Sequence, residues 1–158
     1  MAAVVTQNID GLHERAGSRD IVEVHGSIRS ASCLECGERV PLEEVVAALR
    51  NWPAPPCLGC GAVLKPDVVM FGELLPAEAI DRAVELVRGA GLLVVVGSSL
   101  EVHPVAGLPD EAVSAGVALA ILNRGPTPST IWPRSGSMAR PARRLRSWPR
   151  RLPRLRRA

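Results

Sequence analysis

Tyrosine is absent from this chain of 158 residues, and phenylalanine and lysine occur once each. Aromatic residues make up only 3% against 47% apolar, so any core must be built from Val, Leu, Ile and Ala. No apolar run approaches the ~20 residues needed to cross a bilayer. The opening Met1-Ala-Ala-Val-Val-Thr lacks the basic and long apolar segments of a signal peptide. These absences exclude a membrane-spanning chain and argue against secretion; the expectation is a cytoplasmic protein with no membrane partner.

Acidic residues are absent from Ser129 to Ala158, which holds ten arginines. Met1 to Pro128 carries nine basic and sixteen acidic residues, a net charge of −7, so the overall +3 describes neither part. The body is acidic, and any contact with nucleic acid is expected only through the tail. That tail is rich in Arg, Pro and Ser, has neither helical nor strand period, and is expected to be disordered.

Three zones precede it. Residues 1–28 read as a short apolar strand (Ala2–Val5), a polar turn, a short helix from Asp10 to Gly17, and an alternating strand at Ile21–His25. Residues 29–64 hold all four cysteines, with an amphipathic helix over Pro41–Arg50 between the two pairs. In residues 65–128, Pro76–Arg88 places Ile80, Val84 and Val87 on one helical face. Leu92–Val96 and Val117–Leu122 are apolar throughout, as strands covered on both faces are. A helix over Pro104–Ala115, broken or restarted near Pro109, connects them. Strand, crossover helix and strand form a βαβ unit, half of a doubly wound α/β domain.

Cys33-x2-Cys36 and Cys57-x2-Cys60 have the spacing of a four-thiolate zinc site. Each turn presents two sulfurs on one side, and two facing turns complete a tetrahedron. No open coordination position is implied, so the zinc is expected to be structural. Disulfides and a redox pair are the alternatives; the first lacks a secretory context, and the second needs only one pair.

The polar run Gln7-Asn8-Ile9-Asp10 follows a strand, where α/β sheets bind ligands, but Asp10 as a helix cap explains the same residues. His25 precedes Gly26 and has the chemistry of a general base; a surface histidine is more often inert. His13 and His103 have weaker claims. Gly97-Ser98-Ser99 and Asn123 end the two apolar strands, and small and polar residues there admit a phosphate or ribose. Lys65 to Glu73, with the only Phe, has the pattern of an exposed edge that accepts a peptide by strand addition, or of a plain connecting strand.

Taken in order, Thr6-Gln-Asn-Ile-Asp-Gly-Leu-His, Val24-His-Gly-Ser, the two Cys pairs, Pro66-Asp-Val-Val-Met-Phe-Gly-Glu, Gly97-Ser-Ser-Leu-Glu-Val-His-Pro and Asn123 resemble the sirtuins, NAD-dependent protein-lysine deacylases. The resemblance covers Val4 to Pro128. It implies an α/β fold: an incomplete Rossmann-like parallel sheet (residues 1–28 and 65–128) with an inserted zinc-ribbon module (29–64). It further implies that His25 is the general base and that Asn8, Ile9 and Asp10 line the nicotinamide pocket, with Asn8 and Asp10 also catalytic and Gln7 toward the ribose. Gly97, Ser98, Ser99 and Asn123 would hold the adenosine half of NAD. Val69, Phe71 and Gly72 would flank the acyl-lysine peptide, and the four cysteines would hold one zinc. The products would be deacylated lysine, nicotinamide and O-acyl-ADP-ribose.

Two departures qualify the resemblance. The Gly-Ala-Gly-x-Ser phosphate loop of sirtuins has no counterpart in these residues, and the tail after Pro128 resembles no sirtuin C-terminus. The expectation is a truncated, frameshifted member whose sheet has unpaired edges and an uncovered apolar face. The alternative reading is a non-catalytic zinc ribbon with a nucleic-acid-binding tail, which leaves Gln7–Asp10 and His25 without a role.

Overall fold

The computed structural model describes residues 3–124 and 127; the tail from Ser129, expected to be disordered, lies outside the described residues. The chain forms two compact units that meet in sequence after Leu86. No described helix is long and apolar enough to cross a membrane.

In the first unit, β1 (Val4–Thr6) runs parallel to β2 (Ile21–Glu23), with Val5 opposite Val22. The link between them holds α1 (Leu12–Arg15), one short turn of helix. Asp10 stands before it, and its Oδ1 accepts the Leu12 amide at 3.0 Å. Alternation along β2 selects its buried face: Val22 and Val24 are buried, while Ile21 and Glu23 are half-buried.

The zinc-ribbon segment builds an antiparallel sheet of β3 (Gly26–Cys33), β4 (Arg39–Pro41) and β5 (Leu64–Val68), in the order β4-β3-β5. Proline explains this order in part. It has no N–H to give a ladder, so strands carrying it belong at edges, and Pro41 and Pro66 lie in the two outer strands. The register of β3 on β5 shifts between Gly26 and Ala31, a bulge that bends the central strand. Helix α2 (Leu42–Ala48) follows Pro41 directly, shorter at both ends than the helix expected over Pro41–Arg50.

Consecutive strands β2 and β3 belong to different sheets, with only Val24 and His25 between them. The chain turns through Gly26, whose φ is 73°. A Cβ at Gly26 would lie 2.1 Å from the Asp67 carbonyl oxygen, so both conformation and space require glycine there. Helix α3 (Ala77–Arg88) buries Ala83 and Val87 and half-buries Ile80 and Val84, the face expected from spacing.

In the second unit, β6 (Leu92–Val96) and β7 (Ala118–Leu122) pair in parallel through all five residues. A 3-10 turn (Val105–Gly107) and α4 (Leu108–Ser114) connect them, with Pro109 in the first helical turn, where its missing N–H costs nothing. The expectation that both faces of β6 are covered does not hold. Leu93 and Val95 are half-buried, but Leu92, Val94 and Val96 are 55%, 48% and 69% exposed. One crossover covers one face of a two-stranded sheet, and the described residues of this unit supply one. Even the largest fully buried side chains of the described residues are small, Val24, Pro109, Cys57 and Thr127, as the scarcity of aromatics requires.

Gly26→Ala is expected to destabilise the protein by about 2 kcal/mol or more, through a left-handed φ and a clash with backbone. Gly91→Ala, with nothing within 4 Å of the added methyl, is expected to be near neutral. Denaturant unfolding of the two variants checks this; equal effects would contradict it.

Candidate active site and metal centre

Three backbone carbonyls, from the end of β1 and the loop after it, are taken up by the β2–β3 turn and the start of β3. Thr6 O accepts the Val24 amide at 3.1 Å and Ile9 O accepts the Ile28 amide at 3.1 Å. Gln7 O lies 3.2 Å from His25 Nδ1. A carbonyl oxygen can only accept, so Nδ1 donates in this contact, which in a neutral imidazole leaves Nε2 as the acceptor. His25 is half-buried and is held in the tautomer that a general base needs. The buried Thr6 hydroxyl accepts the Asn8 amide at 3.1 Å and shapes the same loop. Asn8 and Asp10 are exposed, Gln7 and Ile9 half-buried. Asp10 does not cap α1 itself: Gly11 is the N-cap residue, and one Asp10 carboxylate oxygen closes an Asx turn onto the Leu12 amide just ahead of it.

His25 also reaches the opposite strand. Its carbonyl accepts the Val69 amide at 2.9 Å, immediately after β5. Beyond Val69, Phe71 is fully exposed and Gly72 has φ 89°. The outer edge of β5 pairs with no strand among the described residues. Structure therefore gathers Gln7, His25 and Val69 around one turn. His13, on α1, makes no such contact among those described.

In the second unit, Gly97 (φ 64°) follows β6, and its amide donates to Leu122 O at 2.8 Å. That bond sets Gly97 beside the end of β7, where Asn123 stands exposed. Ser98 Oγ accepts the Leu100 amide at 3.2 Å, closing a tight turn. Leu100, buried and at φ 56°, is the one described non-glycine residue with positive φ. No pattern in the sequence marked it, because the strain comes from burying a leucine inside a turn that glycine would suit.

The four cysteines converge. Their sulfurs lie within 4.8 Å of one another, with Cys33–Cys60 at 3.4 Å and Cys36–Cys57 at 3.6 Å. Tetrahedral zinc with ~2.3 Å bonds sets sulfurs about 3.8 Å apart, so the cluster fits this ion with four protein ligands and no open position. The Cys36 amide, followed by that of Glu35, holds the Cys33 thiol down to about 6. Cys57 is pushed up, chiefly by the Glu38 carboxylate, which its thiol meets at 3.0 Å. Gly59 leaves room for that carboxylate, since a Cβ there would lie 2.6 Å from it.

A network missed in the sequence braces the sheet beside the cluster. Ser30 and Ser32 donate to the two Asp67 carboxylate oxygens at 2.6 and 2.7 Å, and Arg39 Nε reaches Asp67 at 2.9 Å. Partial burial pushes Asp67 up, but the two hydroxyls and Arg39 more than offset it and leave it below the ordinary carboxylate range. The signal lay in Ser30-x-Ser32, two hydroxyls at strand period on one face.

The Sir2 family model matches residues 1–104. A Thermotoga maritima NAD-dependent protein deacetylase is 43% identical over 126 residues, 80% of this chain and 51% of that protein. A Chromobacterium violaceum NAD-dependent protein deacetylase is 49% identical, over 78% of this chain and 48% of that protein. The solved structure of a Sir2 protein with a p53 peptide and NAD superposes at a TM-score of 0.79 with 42% identity, covering 81% of this chain and 53% of that one. One bound to a propionylated peptide gives 0.78 and 43%, over 80% and 53%. The chain spans about half the length of the curated relatives it matches.

Metal analysis is expected to find one zinc per chain, and chelation to unfold the β4-β3-β5 sheet, because binding of this kind supplies ~10–16 kcal/mol of apparent folding free energy. An unchanged circular dichroism spectrum after zinc removal would contradict this. Asp67, lowered in the folded state, stabilises fully above the unfolded carboxylate pKa of ~4 and loses that contribution as pH falls through its folded value. Asp67→Asn should therefore lower the melting temperature at pH 7, with the gap from wild type closing in acid.

Proposed function

The chain belongs to the Sir2 family, and from that premise we propose that it removes acyl groups, acetyl foremost, from protein lysines with NAD as co-substrate. One observation carries the reading. His25 bonds through its ring to the Gln7–Asp10 loop and through its carbonyl to the strand that ends at Val69. A base so placed stands between a cofactor-lining loop and a peptide-receiving edge.

Bound NAD would supply a ribose carbon from which nicotinamide departs. Asn8, Ile9 and Asp10 line the nicotinamide pocket in this reading, and Gln7 faces the ribose. His25 Nε2 takes a proton from a ribose hydroxyl, while Gln7 O holds the Nδ1 proton and steadies the imidazolium that forms. Gly97, Ser98, Ser99 and Asn123 bind the adenosine half, Gly97 by presenting backbone with no side chain in the way. Val69, Phe71 and Gly72 flank the acyl-lysine peptide, which adds as a strand beside the segment that follows β5. The acyl oxygen would take the place of nicotinamide at that carbon, and the ribose hydroxyl deprotonated by His25 would bond to the acyl carbon. One water would complete release of the amine; nicotinamide, free lysine and O-acyl-ADP-ribose are the products. Zinc holds the module's shape and takes no part in the chemistry.

The names of relatives, with NAD, acetylated or propionylated peptides in their structures, support the substrate class. A cytoplasmic location belongs to this proposal and rests on the spacing of four cysteines for zinc and not for disulfides. The alternative of a non-catalytic zinc ribbon gives the His25 contacts no purpose, and its nucleic-acid-binding tail lies outside the described residues.

The test is incubation of the zinc-loaded chain with NAD and an acetyl-lysine peptide, following the peptide by mass. Acetyl loss is expected to require NAD and to fall about 100-fold or more in His25→Ala. Acetyl loss without NAD, or unaffected by His25→Ala, would refute the assignment, as would no loss at all.

A further inference from the structure

Met70 to Leu74 are all exposed, Phe71 completely. A turn with no buried side chain is not held by packing, and the bonds that hold this one are polar. Lys65 Nζ donates to Val68 O at 2.8 Å and lies 2.9 Å from Glu73 Oε2. The same carboxylate oxygen accepts the Met70 amide at 2.9 Å, and the Glu73 amide returns to Met70 O at 3.0 Å. One ammonium thus ties the last residue of β5 to both ends of the Met70–Glu73 turn. The Met70 amide and then Lys65 keep the Glu73 carboxyl below its ordinary range, so that carboxylate stays charged at neutral pH.

The geometry points to Lys65 as a positioning residue for the acyl-lysine peptide: with Glu73 it fixes the turn that carries Val69, Phe71 and Gly72 in the shape the peptide meets. This rests on the deacylase reading above. The clamp acts by pre-organisation. The Lys65 side chain is 29% exposed and that of Glu73 42%, and ion pairs so open to water add little to stability. Their effect falls on the turn, whose ordering would otherwise be charged against peptide affinity. The turn is anchored to the base through the Val69 amide on His25 O. Loosening it therefore loosens the peptide relative to His25, while leaving the Gln7–Asp10 loop as it was.

The test compares the zinc-loaded full chain with Lys65→Met, Lys65→Arg and Glu73→Ala. Amide exchange over Val69–Glu73 is read by itself, and binding of a fluorescent acetyl-lysine peptide and of NAD is measured in parallel. Lys65→Met should leave the melting temperature within about 2 °C of wild type. It should speed exchange in the turn and weaken peptide binding about tenfold, with NAD affinity unchanged. Lys65→Arg, able to reach both Val68 O and Glu73, should restore both readouts, and Glu73→Ala should match Lys65→Met. Unchanged peptide affinity in Lys65→Met, equal loss for NAD and peptide, or failure of arginine to rescue overturns the proposal. A wild-type chain that binds no acetyl-lysine peptide removes the deacylase reading instead. The clamp then stands or falls on exchange alone, with unchanged exchange in Lys65→Met overturning it.

Discussion

The turn between β2 and β3 is the constraint on which the first unit depends. Two residues, Val24 and His25, carry the chain from a parallel pair to an antiparallel sheet, and Gly26 completes the change against the Asp67 carbonyl. Such a crossing leaves no slack. The Val24 amide goes to Thr6, the His25 ring to Gln7, and the His25 carbonyl to Val69. The residue with base chemistry is therefore placed by backbone geometry, and the loop and strand around it are positioned by the same bonds.

The sheet beside that turn has little apolar material to hold it. Its buried side chains are small, and Leu34, Leu58 and Val63 stand exposed around the cysteines. Two polar devices compensate. The cysteine cluster closes one end, and the Ser30–Ser32–Asp67–Arg39 network binds all three strands on one face. The network lies on the same strand pair as Gly26, so stiffness in the zinc-ribbon segment is passed directly to the turn that carries His25.

Sequence alone disclosed those parts that depend on local chemistry. Cys-x2-Cys spacing encodes its own geometry, and the apolar runs at Leu92 and Val117 announce paired strands because every position is hydrophobic. It also disclosed the order of motifs from Thr6 to Asn123. On β6 it pointed two ways: the apolar run called for cover on both faces, while the missing strands called for an uncovered apolar face, and the second is what β6 shows. It did not reveal partners distant in sequence. Asp67 meets Ser30 across 37 positions, and the bulge in β3 that sets their register leaves no mark on composition. Leu100 is a third case, a left-handed leucine where local preference calls for glycine.

Lysine is scarcer here than any other charged residue, with one against eighteen arginines. An arginine guanidinium is too weakly nucleophilic to be acylated as an amine is, and the one lysine spends its ammonium on Val68 O and Glu73. A catalyst that acts on acylated lysine meets its own kind in every crowded solution. Under the proposed chemistry, these residues offer a single lysine side chain that could itself be acylated and compete as a substrate, and its ammonium is already engaged within the turn.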